Sequence, residues 1–129
     1  MTRTLVTALV GIVALGVSPS AHHSFAAHYF EDQLVTIEGE IVEFEYRNPH
    51  SWVRVIARGD TGATQEFAAE WGSTARLKQW GVTEAALKPG DRVRITGSPG
   101  RNPDEHRIHL KSIQRPADGW KWSGPSGRS

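Results

Sequence analysis

Five short runs of alternating apolar and polar residues, one helix-like interval between the third and fourth, and a phase slip inside a long first run predict an all-β fold with one short helix. The order β-β-β-α-β-β is that of an OB-like five-stranded barrel, with an SH3-like or other small open barrel as the alternative. The strands occupy residues 34–115, after an arm at 22–33 and before a stretch at 116–129 with the composition of a flexible tail.

The first strand starts near Leu34. Val35, Ile37, Gly39 and Ile41 alternate with Thr36, Glu38 and Glu40, and the apolar phase then shifts by one to Val42, Phe44 and Tyr46 against Glu43 and Glu45. A one-residue shift implies a bulge, and Gly39 permits the sharp bend of a strand that serves two faces of a barrel. Arg47-Asn48-Pro49-His50 ends it. Strand two, Ser51 to Ala57, puts Val53, Val55 and Ala57 on one face and Trp52, Arg54 and Ile56 on the other. Gly59-Asp60-Thr61-Gly62 is a hairpin turn into strand three, Ala63 to Trp71, with Gln65, Phe67, Ala69 and Trp71 in one phase and Glu66 and Glu70 in the other.

Ser73 is the expected N-cap of a helix over Thr74 to Trp80, with Leu77 and Trp80 on one face and Gly81 as the stop. Thr83 caps a second turn, Glu84 to Leu87. After the turn Lys88-Pro89-Gly90-Asp91, Val93 and Ile95 define strand four, and Gly97 to Glu105 reads as a loop. In strand five Ile108 and Leu110 share a phase with His106, opposite Arg107, His109, Lys111 and Ile113. Trp120 and Trp122 are unusual in a free tail and point to docking on the barrel or to a partner.

Residues 1–21 read as a secretory signal peptide: Arg3, the apolar run Leu5 to Val17, then Ser18-Pro19-Ser20-Ala21. The run is shorter than the roughly 20 residues that span a bilayer, so the expected mature protein is soluble, has no membrane span, and is periplasmic or extracellular. Cleavage after Ser20 or after Ala21 fits. Removing the peptide takes Arg3 with it and brings the formal charge from +1 to zero, which argues against nucleic acid as a partner. The chain has no cysteine, so packing and ladder hydrogen bonds must stabilise it without the disulfides common in small exported domains. The sequence sets no oligomeric state.

The histidines are the first candidates for chemistry. His22, His23, His28 and His50 lie in the first half of the mature chain, and without thiolate a soft-metal site must use imidazole, carboxylate or the terminal amine. Cleavage after Ala21 leaves His22 as residue one, whose amine and ring nitrogen chelate one copper ion, with a further histidine as third donor. Cleavage after Ser20 puts His23 third, where amine, two amide nitrogens and imidazole wrap Cu(II) or Ni(II) in a plane. In an OB arrangement the loops after strands one and four flank the binding face, so His50 and His106 are expected at one barrel mouth with the arm folded over it. The plain alternative is that each histidine is polar surface, with His50 capping a turn. Trp52 and Trp71 are candidate ligand-binding aromatics, or core filling.

An enzyme is the weaker expectation. There is no Gly-x-Ser-x-Gly elbow, phosphate-cradling loop, His-Glu-x-x-His or cysteine nucleophile.

His22-His23-Ser24-Phe25, Asn48-Pro49-His50-Ser51-Trp52, Glu70-Trp71-Gly72-Ser73 and Leu87-Lys88-Pro89-Gly90-Asp91 together resemble, in the same order, a bacterial family of small exported proteins catalogued as a domain of unknown function. The likeness runs from about His22 to Ile113. It implies an exported β-barrel, marks His22, His23, His50 and Trp52, and supplies no activity. Members resembling this chain carry Ala-x-Ala before the histidines, whereas Pro19 stands at that −3 position here.

The expectation is an exported binding protein with a copper or other transition-metal site of His22, His23 and His50, joined by His28 or His106, and shielded by Trp52. The competing expectation is an accessory module that grips a partner protein or small organic ligand at the barrel mouth without metal.

Overall fold

The computed structural model describes residues 22–58 and 62–125, with only the backbone for residues 22–24. The expected signal peptide, most of the first hairpin turn and the last four residues lie outside the described residues. Helix α1 (His22–His28) precedes strands β1 (Val35–Glu45), β2 (Trp52–Arg58) and β3 (Thr64–Glu70). Helix α2 (Thr74–Gln79) and a 3-10 turn (Glu84–Ala86) follow, then β4 (Arg92–Pro99), a second 3-10 turn (Pro103–Glu105), β5 (Arg107–Arg115) and β6 (Trp120–Ser123).

β1 pairs antiparallel with β2 and β4, β2 with β3, and β4 with β5. The parallel pairing of β3 with β5 closes the ring in the order β1-β2-β3-β5-β4. The fold is therefore a closed five-stranded barrel in OB order, with α2 between β3 and β4.

The bend of β1 has the expected cause. Its register against β2 shifts between Ile41 and Glu43, leaving Val42 as the extra, exposed residue. A Cβ on Gly39 would collide with the carbonyl oxygen of Ile56, so β2 crosses there at a distance only glycine allows. Inward residues from every barrel strand make the core: Ile41, Val53, Val55, Ala69, Val93, Ile95, Ile108, Leu110 and Ile113 are all buried. Leu77 of α2, capped by the Ser73 side chain on the Arg76 amide, joins Val82 and Leu87 to plug one end.

Several expectations need correction. The arm at 22–33, whose sequence shows no sustained period, begins as helix α1; its aromatic Tyr29 pins it to the body as expected, buried and bridging Gly100. β4 runs on to Pro99 where a loop from Gly97 was expected. Ile113 faces the core, because β5 has its own irregularity: Thr96 pairs with Ser112 but Gly97 with Leu110, skipping Lys111. The tail is not free over its first half. β6 pairs with β5, and the Trp122 ring lies 5.0 Å from Trp71 and 4.8 Å from Trp80, so burial of indole surface overrides a glycine- and proline-rich composition. Among the described residues no helix is long and apolar enough to cross a membrane.

Candidate functional site

Pairing on the outer wall sets the site. Trp52 of β2 is opposite Glu70 of β3, and Glu70 is opposite His109 of β5. Their neighbours Val53, Ala69 and Ile108 point into the core, so Trp52, Glu70 and His109 project outward on three adjacent strands. The pocket is thus on the barrel wall, at the β2–β3–β5 seam, and not inside the mouth.

The loop before β2 forms one rim and is tied down by its own polar groups. The Ser51 hydroxyl donates to the Arg47 carbonyl, the Trp71 amide donates to the Ser51 carbonyl, and the Asn48 side-chain oxygen accepts from the Thr74 amide and hydroxyl. The Asn48–Pro49 peptide is cis. The arm forms the roof. Its chain is held by the Phe30 amide donating to Pro99, by the Arg101 amide donating to His28, and by the Arg101 side chain donating to Ala26. A cavity of 420 Å³ remains, lined by Phe25, His28 and Tyr29 of the arm, Arg47–His50 of the loop, and Trp52, Glu70 and Arg107 of the wall.

Glu70 is the centre of its chemistry. The side chain is buried, accepts a 2.8 Å hydrogen bond from the Tyr29 hydroxyl on Oε1, and places Oε2 2.8 Å from Nδ1 of His50. Oε1 therefore has a hydrogen-bond donor and Oε2 a close contact with the imidazole, which together offset the cost of burying the carboxylate. Burial, and then the Glu70 charge, push the Tyr29 hydroxyl far above its ordinary range, so Tyr29 stays a donor. With Nδ1 of His50 facing the carboxylate, Nε2 is the ring nitrogen left for a ligand.

Aromatic stacking completes the roof. The Phe25 ring lies 3.8 Å from His109 at an interplanar angle of 4°, and 5.4 Å from His50 at 24°. His109 Nδ1 is 2.7 Å from Glu31 Oε1, and Lys111 Nζ is 2.9 Å from the other Glu31 oxygen. Burial pushes the Glu31 carboxyl up, but the contacts with Lys111 and His109 outweigh it and hold it below its ordinary value. On the opposite side the Arg107 guanidinium sits 5.4 Å from the centre of the Trp52 ring.

Three of the candidate residues, His28, His50 and Trp52, line the pocket. His22 and His23 form the first positions of α1, and their side chains lie outside the described residues. His106 does not join them. It ends the second 3-10 turn just before β5, in the left-handed region at φ 47°, and packs edge-on to Phe67 with ring centres 5.7 Å apart. Trp71 is buried in the core against Phe44 and Trp122, away from the pocket. Among the described residues no three His, Cys, Asp or Glu side chains form a group that could hold a metal ion.

Tyr29, Glu70 and His109 escape a reading for chemistry, because a lone carboxylate or imidazole on an outward strand phase looks solvated. The signal present in the sequence is that Glu70 and Trp52 share the outward phases of two consecutive hairpin strands.

A search of the curated proteins finds no match. A family model, described as a family of unknown function (DUF6152), matches residues 9–109. That span covers α1, the loop before β2, Glu70 and the β5 residues through His109, and on this match the chain belongs to the DUF6152 family of unknown function.

Proposed function

We propose that the protein is an exported binding protein that takes a transition-metal ion, copper foremost, through His50 and the histidine-bearing start of the mature chain. The observation that carries this reading is the 2.8 Å approach of His50 Nδ1 to the buried Glu70 carboxylate. A carboxylate behind one ring nitrogen fixes the tautomer and makes the other nitrogen a better metal donor. His28 lines the same cavity, and His22 precedes the pocket-lining Phe25 by three positions, one helical turn, on α1. The signal-like residues 1–21 support export and a free amine beside these histidines.

The test is a Cu(II) titration of EDTA-treated protein purified from its export route, beside His50→Ala, Glu70→Gln and a form lacking His22 and His23. The reading expects one tight ion per chain, a loss of about tenfold or more with His50→Ala, and roughly 10–100-fold with Glu70→Gln. Equal affinity in all four proteins contradicts it.

A second reading, an accessory module that binds a partner protein or a small organic ligand, is favoured by the size of the cavity. At 420 Å³ it matches a small-molecule pocket and exceeds what a single ion fills.

A further inference from the structure

We propose that this pocket binds the carboxylate of a small organic acid, with Arg47 and Arg107 as the cationic contacts and Trp52 and Phe25 as apolar walls. The inference deepens the small-ligand reading and is independent of the metal reading, since it uses different side chains of the same cavity.

Charge supplies the first argument. The cavity is lined by two arginines and one carboxylate, Glu70, whose two oxygens already face Tyr29 and His50. Arg47 and Arg107 are therefore the charged groups of the lining open to a ligand, each with one carboxylate neighbour, Glu45 or Glu105, that does not line the cavity. Donor availability supplies the second. Arg47 has Glu45 as its ion-pair partner at 3.6 Å, outside hydrogen-bond range, and its side chain is 56% exposed. Arg107 spends Nε on Glu105 at 3.2 Å, which leaves its two terminal nitrogens. A guanidinium fork with free donors matches a carboxylate bidentately.

The walls narrow the class further. Phe25, Tyr29, Pro49 and Trp52 give the cavity apolar surface beside the arginines, and an inorganic oxyanion has no apolar body to place against it. An organic acid has both parts, and 420 Å³ accommodates a molecule of aromatic-acid size.

The experiment is calorimetric titration of EDTA-treated protein with benzoate, acetate and inorganic phosphate as probes. Benzoate is expected to bind one per chain, about tenfold or more tighter than acetate or phosphate. Arg47→Ala and Arg107→Ala should each weaken benzoate by about tenfold or more, while Arg92→Ala, on the far side of the barrel, leaves it unchanged. Arg47 and Arg107 are exposed, at 56% and 42% of their side chains, so these variants should keep the parent's thermal midpoint, which is measured alongside. No saturable benzoate binding, phosphate or acetate binding as tightly, or benzoate binding that survives both arginine substitutions overturns the proposal. Copper titration of the same variants separates the two readings: benzoate binding without copper binding overturns the metal reading alone, and the converse overturns this one alone.

Discussion

Oε2 of Glu70 stands 2.8 Å from Nδ1 of His50, while Oε1 of the same carboxylate accepts from the Tyr29 hydroxyl. One buried side chain on β3 thus couples the N-terminal arm to the loop before β2. Tyr29→Phe deletes the donor but keeps the ring, leaving Oε1 buried without that partner. Urea unfolding should show a loss of about 1–3 kcal/mol, the cost of an unsatisfied buried acceptor. A loss below about 0.5 kcal/mol would show that water replaces the hydroxyl.

The roof should detach before the barrel does. Phe25 is clamped between His109 and His50, and each such aromatic contact contributes about 0.5–1.5 kcal/mol. In Phe25→Ala, hydrogen exchange at the Phe30 and Arg101 amides, which bond to Pro99 and His28, should quicken several-fold. The Val53 and Val55 amides should keep their protection. Uniform acceleration across all four would mean that the arm and barrel open as one unit.

Acid should act through Asp91 and Glu31. Burial raises the Asp91 carboxyl, but the Lys88 amide and the Arg115 guanidinium at 3.0 Å outweigh it, so its value in the folded chain is depressed, as is that of Glu31. A depressed carboxylate stabilises the fold above its unfolded value and loses that contribution as pH falls through the folded value. The contribution of these two carboxylates is therefore constant near neutrality and declines from about pH 5 downward. Asp91→Asn should lower stability at pH 7 and flatten that decline in denaturant midpoints measured from pH 7 to pH 3. An unchanged slope would place the acid sensitivity elsewhere.

The last described strand is part of the fold. Trp122 covers Trp71 and Trp80, so Trp122→Ala should cost about 2–3 kcal/mol, below the roughly 3–5 kcal/mol of a fully buried large aromatic because Trp122 is only half-buried. Lys121→Ala, on the exposed side of the same strand, should be neutral in the same thermal scans. Equal midpoints for the two variants would show that β6 contributes no packing energy.

What could be read from the sequence was what alternation encodes locally. The slip from Ile41 to Val42, the inward set of Val53, Val55 and Ala57, and the Ser73 cap each depend on neighbours a few residues away, and each is present. Alternation puts Ile113 on the outer face, but a bulge at Lys111 resets the phase, and only pairing with β4, not composition, reveals it. Trp120 and Trp122 stood out as odd, but their strand needs the free edge of β5. In the site, His50 and Trp52 were legible beside their turn. Glu70 was not, because its outward phase implies solvent, and the Tyr29 roof and the His50 loop that cover it are both distant in sequence.

The most direct test of the metal reading is electron paramagnetic resonance of the exported protein, its N-terminus fixed by intact mass, loaded with one equivalent of Cu(II). A start at Ala21 or His22, with a nitrogen-rich copper spectrum that changes in His50→Ala, is the predicted result. A spectrum identical in His50→Ala, or one indistinguishable from a free peptide of the same first residues, would contradict the account and leave the pocket to organic ligands alone.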